Sequence, residues 1–539
     1  MRALDIPEIP SQVLDLMGES DKFASALVCQ TWSSVALDAI WRDLDELIAL
    51  LYLIGDVTTI YNFKTRFPRT RQHVEFSQSL EGTDWSRFDS YAARVISLNW
   101  DSKGLSFSPT VFGQIAAARP GSKPLLPNLL SIKWAAHYDV DTDHMLHFLS
   151  QSVTFLHIQY RDTCTASHVT ALMSNLATLA PEVSELTIEC SFRVDRVDEA
   201  LSSWIESLKK LRKVTLPRCF GSPRIVKALG SLGGLESVSG DVKPSETTEH
   251  ADVILGTYWS LPSNAFQKLR FIDFDATLAQ AVELFSGPPP PDLRGLWLAV
   301  IGPATNAIIQ TFFSALVTWC TDLEELSLNL VSTVTESRER IRFKTLDPLL
   351  QLRKLQKLQI LHDLSIYLAT DNVEAMSLAW PCLVQLSLRG GYREEVSRTS
   401  FSILESFAIK FPYIQRLAIS LHIDRDAGVV DSVPATFTNL RELHLDTSSI
   451  REQQLLPVAT LLSLICPPGV EILFGMTKWH QEALRQKRFH AIGVHDTGLI
   501  WRRIANGVRS YHRVHQSDRN PEMTATYFRY WFASQSRRI

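Results

Sequence analysis

His144 and His147 stand three residues apart, with Asp141 and Asp143 just upstream. On a helix that spacing can hold a metal ion, because both imidazoles and a carboxylate share one side. In a helix that backs a repeat, the plainer reading is a set of exposed polar groups on the outer surface, and no metal site is assigned. The seven cysteines, Cys29, Cys164, Cys190, Cys219, Cys320, Cys382 and Cys466, never sit two residues apart in a C-x-x-C pair. A zinc octet of the kind ring-type ligases carry is thereby excluded, as is a thioredoxin-like redox pair. Cys29 reads as a core residue of a helical segment and not as a nucleophile. No G-x-G-x-x-G, P-loop, H-E-x-x-H or G-x-S-x-G phrase occurs either. Catalytic, cofactor-binding and metal-binding residues are therefore all assigned as none, and the chain is expected to work by binding.

What must position a binding surface is a phrase that keeps returning: aliphatic, two variable residues, aliphatic, one variable, aliphatic. Clear copies are Leu323-Glu-Glu-Leu326-Ser-Leu328, Leu383-Val-Gln-Leu386-Ser-Leu388 and Leu440-Arg-Glu-Leu443-His-Leu445. Looser ones begin at Ala93, Leu129, Val153, Val183, Leu211, Leu235, Leu269, Leu293, Leu355, Ile414 and Val470. Starts fall 24 to 36 residues apart, and (470 − 93)/13 gives a mean of 29. Six copies share a proline two residues ahead, at Pro127, Pro181, Pro291, Pro381, Pro412 and Pro468. Chance matches would share neither period nor lead-in.

That period and phrase are the signature of leucine-rich repeats. The second and third aliphatics are two apart, so on a strand they face one side together. Segments such as Ile308 to Cys320 and Asp371 to Trp380 are long enough for a crossover helix. One strand-plus-helix unit cannot cover its own apolar face, whereas stacked units share a continuous core. The expected fold class is α/β: an irregular solenoid with a parallel sheet on its concave face and helices outside. The turn positions Asp101, Ser191, Cys219, Ile301, Gly391 and Ser448 lack the usual Asn, so turns should differ between repeats.

Hydrophobic content of 45%, charged content of 21% and a net charge of −4 describe a folded chain with no strong overall pull toward nucleic acid or membrane. The opening MRALDIPEIP has no basic head or apolar core, so it is not a secretory signal. No run spans a bilayer. With an odd cysteine count and no Asn-x-Ser/Thr sequon, a reducing compartment is expected, cytoplasmic or nuclear, where cysteines behave as small core hydrophobes.

Ahead of the repeats, three short helices are expected. Val13, Leu14 and Met17 mark the first, and Phe23, Leu27 and Val28 the second. Trp32, Val35, Ala36 and Ile40 mark the third. The runs Ile6-Pro7-Glu8-Ile9, Ala26-Leu27-Val28-Cys29-Gln30-Thr31-Trp32 and Ala36-Leu37-Asp38-Ala39-Ile40-Trp41-Arg42-Asp43-Leu44 resemble an F-box of the style common in fungal proteins. Together with the repeats, the chain resembles F-box proteins with leucine-rich repeats. Pro10 departs from the usual aliphatic and is tolerated in a first helical turn. The resemblance implies binding of a Skp-type adaptor, and through it a cullin, with the C-terminal part capturing a protein target for ubiquitination. Carried over by position, the adaptor-facing residues are Ile6, Pro7, Ile9, Val13, Leu14, Leu27, Trp32, Leu37 and Trp41; each could instead belong to the core of the helical unit.

The domain reading is then 1–46 F-box, 47–92 helical connector, 93–476 repeats and 477–539 basic aromatic cap and tail. Leu47, Leu50, Leu51 and Ile54 share one side of a connector helix, and Lys64 to Arg71 reads as a solvated loop. Insertions at Gly240 to Tyr258, Ser332 to Lys344 and Gly390 to Ser400 follow strands and should edge the concave face. Pro288 to Pro291 form a stiff lead into the next strand. Residues 477–539 carry 12 Lys and Arg against 4 Asp and Glu. Thr477 to Arg503 is expected to cap the last repeat, with partial disorder beyond Gln516. Two functions are carried: substrate receptor of a Skp–cullin–F-box ubiquitin ligase, or a repeat scaffold without ligase coupling.

Overall fold

The structure is a computed structural model describing residues 8–62, 71–101, 105–119, 121, 124–161, 164–190, 197–217, 222–240, 265–284, 290–300, 302–330, 339–362, 364–390, 397–423, 434–445, 448–474, 494–514 and 521–536. It divides into two compact units, Met1–Lys243 and Pro244–Ile539.

Each unit is built on parallel strands that follow one another in chain order, each joined by a return segment, most of them helical. In the first, the strands are Asp43–Leu44, Ser97–Asp101, Ser131–Ala136, Phe155–Tyr160, Glu185–Cys190, Lys213–Leu216 and Ser237–Gly240. Their second aliphatics stand in one row, Leu98, Ile132, Leu156, Leu186, Val214 and Val238, all but absent from the surface. In the second, the strands are Phe271–Ala276, Gly295–Val300, Glu325–Asn329, Lys357–Leu361, Gln385–Arg389, Arg416–Ile419, Glu442–His444 and Glu471–Leu473. The matching row is Ile272, Leu296, Leu326, Leu358, Leu386, Leu417, Leu443 and Ile472. A one-residue slip would turn such a row to solvent, so the aliphatic spacing dictates the register. The fold is α/β, a parallel sheet flanked by helices, as the leucine-rich phrase requires.

The recurring proline also has a local role. The helices Ala166–Leu179, Thr370–Ala379 and Ile403–Lys410 each stop two residues short of one, at Pro181, Pro381 and Pro412. The residue before a proline is kept out of the helical region, which releases the chain into the next strand.

Two repeat starts need correction. Leu98 pairs with Ile132 and Trp100 with Trp134, so the first phrase is Val95-Ile-Ser-Leu98-Asn-Trp100 and not the one beginning at Ala93, which is exposed. Ile472 pairs with Leu443, so the last phrase begins at Gly469, where φ is +90°, instead of Val470. A left-handed backbone there favours glycine, which removes the first aliphatic from that copy.

The connector is not purely helical. Helix Leu47–Leu51 buries Leu47, Leu50, Leu51 and, just beyond it, Ile54. It is followed by the antiparallel strands Val57–Asn62 and Arg71–Phe76, the latter joined in parallel by Leu105–Phe107. Alternation in Val74 and Phe76, both buried, is the strand signal that helical reading of 47–92 passed over. Of the stretch Lys64 to Arg71, only Arg71 is described. The insertion after Gly240 lies outside the described residues except for that first residue, as do most of the other two and Pro288 and Pro289.

The second unit closes with helix Leu455–Ile465, apolar on every side, which needs cover all round. Helices Val494–Val514 and Pro521–Ser536 both pack on it. Trp501 is buried with its Nε1 donating to the Ser448 carbonyl at 2.9 Å, and His512 bonds the Ser463 carbonyl at 3.0 Å. Gly507 leaves room for the ring of Phe528, which is fully buried. The cap thus extends to Ser536, and the expectation of partial disorder beyond Gln516 fails for 521–536. Their aromatics supply an apolar face. No helix among the described residues is long and apolar enough to cross a membrane.

Candidate partner-docking surfaces

The N-terminal segment forms three helices, α1 (Glu8–Asp15), α2 (Glu19–Ala26) and α3 (Gln30–Trp41). Gly18 and Cys29, both extended, begin the second and third. Ser25 is buried and its hydroxyl donates to the Asp21 carbonyl at 2.8 Å, letting α2 lie close on α3. With so little chain the core is small: Leu14 and Ala36 are fully buried, and Pro10 lies inside too.

What remains outside is the more informative set. Leu16 is 90% exposed, Leu27 89%, Val28 68% and Phe23 56%. Four large apolar side chains on forty residues are a liability in water, and burying each against a partner would contribute about 1.5–3 kcal/mol.

The predicted adaptor-facing residues divide accordingly. Leu27 is exposed; Ile9, Val13, Trp32 and Leu37 are half-buried; Leu14 is core. Trp41 packs its ring on Tyr91, centroids 4.8 Å apart, within the first unit. Ile6 and Pro7 lie outside the described residues. Positional transfer missed Leu16 and Phe23, although Phe23 and Leu27 at i and i+4 already shared a helical side.

The three helices are also tied to the sheet of the first unit. Arg94 donates to the Ser34 carbonyl at 3.1 Å and pairs with Asp38. Strand Asp43–Leu44, expected as the close of the helical domain, is the edge strand of that sheet, pairing with Ser97–Leu98.

The His144 and His147 cluster is not an exposed polar face. His144 is buried among the rings of Phe107 and Phe112, 5.9 and 5.0 Å away. Asp141 is also buried, its Oδ2 accepting the backbone N–H groups of His137 and Tyr138, each at 3.0 Å. It caps the start of helix Asp139–Leu146, a stabilising use of a carboxylate at a helix N-terminus. His147 stacks on Phe112 at 5.0 Å, and burial against that ring holds its pKa below the ordinary value despite Asp143. Among the described residues no three His, Cys, Asp or Glu side chains could hold a metal.

The cysteines need a similar correction. Cys164, Cys320 and Cys466 are buried, their thiols pushed up to about 11, 12 and 12 by desolvation, but Cys29 and Cys382 are exposed.

The sheet face opposite the helices offers the second surface. In the second unit its middle row runs Ser327, Gln359, Ser387, Ala418, His444. Over the small Ser387 and Ala418 lies a cavity of about 290 Å³. Arg389, only 6% exposed, crosses the intervening strand so that its Nη2 donates to Nε2 of His444 at 3.4 Å. Burial, and then the neighbouring guanidinium, lower the pKa of His444 to about 3. The imidazole is therefore neutral. Arg416 at the rim pairs through Nε with Glu442 at 3.0 Å.

No protein-family model matches this chain, and no curated protein does either. Among solved structures it is similar to a TLR13–ssRNA13 complex chain, at 18% identity and a TM-score of 0.38, over 66% of this chain and 44% of that one. It is also similar to a chain of the Rad7 and Elc1 complex in yeast, at 14% identity and a TM-score of 0.32, over 61% of this chain and 71% of that one. The chain thus spans less than half of the first of these.

Proposed function

We propose that this protein is the substrate-recognition subunit of a ubiquitin ligase of the Skp–cullin–F-box type. Its N-terminal helices bind a Skp-type adaptor, and through it a cullin, while the repeats hold a protein destined for ubiquitin-dependent degradation. It acts in the cytoplasm or nucleus. The observation that carries the reading is the exposed apolar set Leu16, Phe23, Leu27 and Val28, standing on the segment whose residues resemble an F-box. The chain supplies no chemistry of its own. Holding a target lysine beside a charged conjugating enzyme raises effective concentration, and the rate follows from that.

The test is co-purification of the full chain with a Skp-type adaptor. Trp32 and Leu37 are half-buried, so replacing them risks the fold; Phe23→Asp with Leu27→Asp removes exposed apolar surface alone. Losing two such contacts should weaken adaptor binding about 100-fold or more. Full adaptor recovery by the folded double variant would exclude this surface and, with it, the ligase reading.

A further inference from the structure

The cap of the second unit has an outer face as well as the inner one that covers helix Leu455–Ile465. Helix Val494–Val514 turns Trp501, Ile504, Val508 and Tyr511 inward, and all four are buried. Its other side carries Arg502, Asn506, Arg509 and Arg513, at i, i+4, i+7 and i+11, and all four are exposed. Those steps return to one narrow strip of a helix, so the strip holds three guanidiniums, one amide and no carboxylate.

Arg503, on the flank, pairs with Glu452 and lies over the ring of Phe532, 5.7 Å from its centroid. Arg502, Arg509 and Arg513 make no ion pair among the described residues. The excess of cations holds for the segment as a whole. Residues 477–539 carry 12 Lys and Arg against 4 Asp and Glu, so cations remain even with every one of those carboxylates paired. The overall charge of −4 conceals this segment.

A helix does not bend to its partner, so the strip needs anions in a row. At about 1.5 Å of rise per residue, the three arginines stand about 10 and then about 6 Å apart. A nucleic-acid duplex carries one phosphate charge about every 1.7 Å along its axis, so phosphates meet such a strip in any register. An acidic protein segment would need its carboxylates at matching intervals. The planar fork of arginine also suits phosphate in a bidentate way, which a lysine point charge does not. The neighbouring helix Pro521–Ser536 exposes Arg529 and Tyr530, an aromatic ring that can stack on an unpaired base.

We infer that the outer strip of helix Val494–Val514 is a docking surface for the sugar-phosphate backbone of a nucleic acid, with Arg502, Arg509 and Arg513 each meeting a phosphate. Backbone contacts of this kind position a protein without reading sequence. The inference is independent of the ligase reading, because the strip belongs to the cap and not to the N-terminal helices.

The full chain is titrated into a short fluorescein-labelled DNA duplex of mixed sequence, and separately into its single strand, with anisotropy followed at several salt concentrations. Saturable binding is expected. Arg502→Gln with Arg509→Gln and Arg513→Gln, all at exposed positions that do not threaten the fold, should weaken it about tenfold or more and reduce the slope of log K against log salt by about 2 to 3. A charge-matched control, Lys209→Gln with Lys227→Gln and Lys268→Gln, removes exposed lysines elsewhere and should leave binding nearly unchanged. Polyglutamate and vesicles of anionic lipid, added as competitors at equal charge, should displace the probe poorly. Tighter binding of the duplex assigns double-stranded nucleic acid, and tighter binding of the strand, weakened by Tyr530→Ala, a single-stranded one. Absence of binding by both probes, equal losses in the two triple variants, or displacement by either competitor as good as by unlabelled duplex overturns the inference. Adaptor co-purification should be unaffected by either triple variant, so failure of the ligase reading and failure of this one are read separately.

Discussion

His444 shows how a single side chain acquires a property that its type does not have. An exposed imidazole titrates near 6.5; here burial first, and the Arg389 charge second, bring it to about 3. The unfolded chain therefore takes up this proton before the folded one does. The stabilisation is complete above the unfolded value and is lost as the pH falls from about 6.5 toward 3. His444→Asn should flatten that limb of the stability curve by up to one proton, about 1.4 kcal/mol per pH unit, in denaturant titrations between pH 6.5 and 4. An unchanged slope would mean that His444 is solvated. Gly390, the next residue after Arg389, makes the opposite point, since there the absence of an atom matters. A Cβ would stand 2.8 Å from the Ser365 nitrogen and closer still to the Leu364 carbonyl, all backbone that cannot step aside. Gly390→Ala should cost about 1–3 kcal/mol of stability, read as a lower denaturant midpoint. A neutral result would show that the neighbouring turn moves freely.

At the scale of elements, the turns make up for the missing Asn ladder with hydroxyls. The Ser448 Oγ accepts the Leu421 N–H at 2.8 Å, the Ser420 Oγ donates to the Gly390 carbonyl at 3.0 Å, and the Ser397 Oγ donates to the Ser420 carbonyl at 2.6 Å. Ser397 to Ser400 thus belong to the stack and not to a solvated insertion, as the bridges from Ser400 to His422 and from His422 to Ser449 show. The final helices have an equally definite duty. Helix Leu455–Ile465 would expose apolar surface on the side they cover, so deletion of 494–539 should leave an aggregating chain. Trp501→Ala should lower thermal stability by about 3–5 kcal/mol. A deletion that stays monomeric with an unchanged melting temperature would refute the capping role.

If, as proposed, the N-terminal helices bind an adaptor and the repeats hold a target, the two activities should separate by mutation. Phe23→Asp with Leu27→Asp should abolish adaptor-dependent ubiquitination of a captured target while leaving its capture intact, measured by binding the target to the isolated variant. The repeat phrase made the parallel strands and most of their register legible, because a period of two on a strand and a return near 29 residues leave few other ways to bury every aliphatic. It misled at the ends, at Ala93 and Val470, where a neighbouring aliphatic fits the phrase nearly as well and only pairing with the next strand decides. By itself, then, the sequence determined the architecture, the helical segment in front of it and the absence of familiar catalytic motifs. Tertiary structure alone decided which apolar residues of that segment face water, that Asp141 and His144 are interior, and that Arg389 meets His444 over Ala418. Local spacing governs what a residue shares with its own strand or helix. Contacts between residues 55 apart depend on how the rungs stack, which no window of the chain contains.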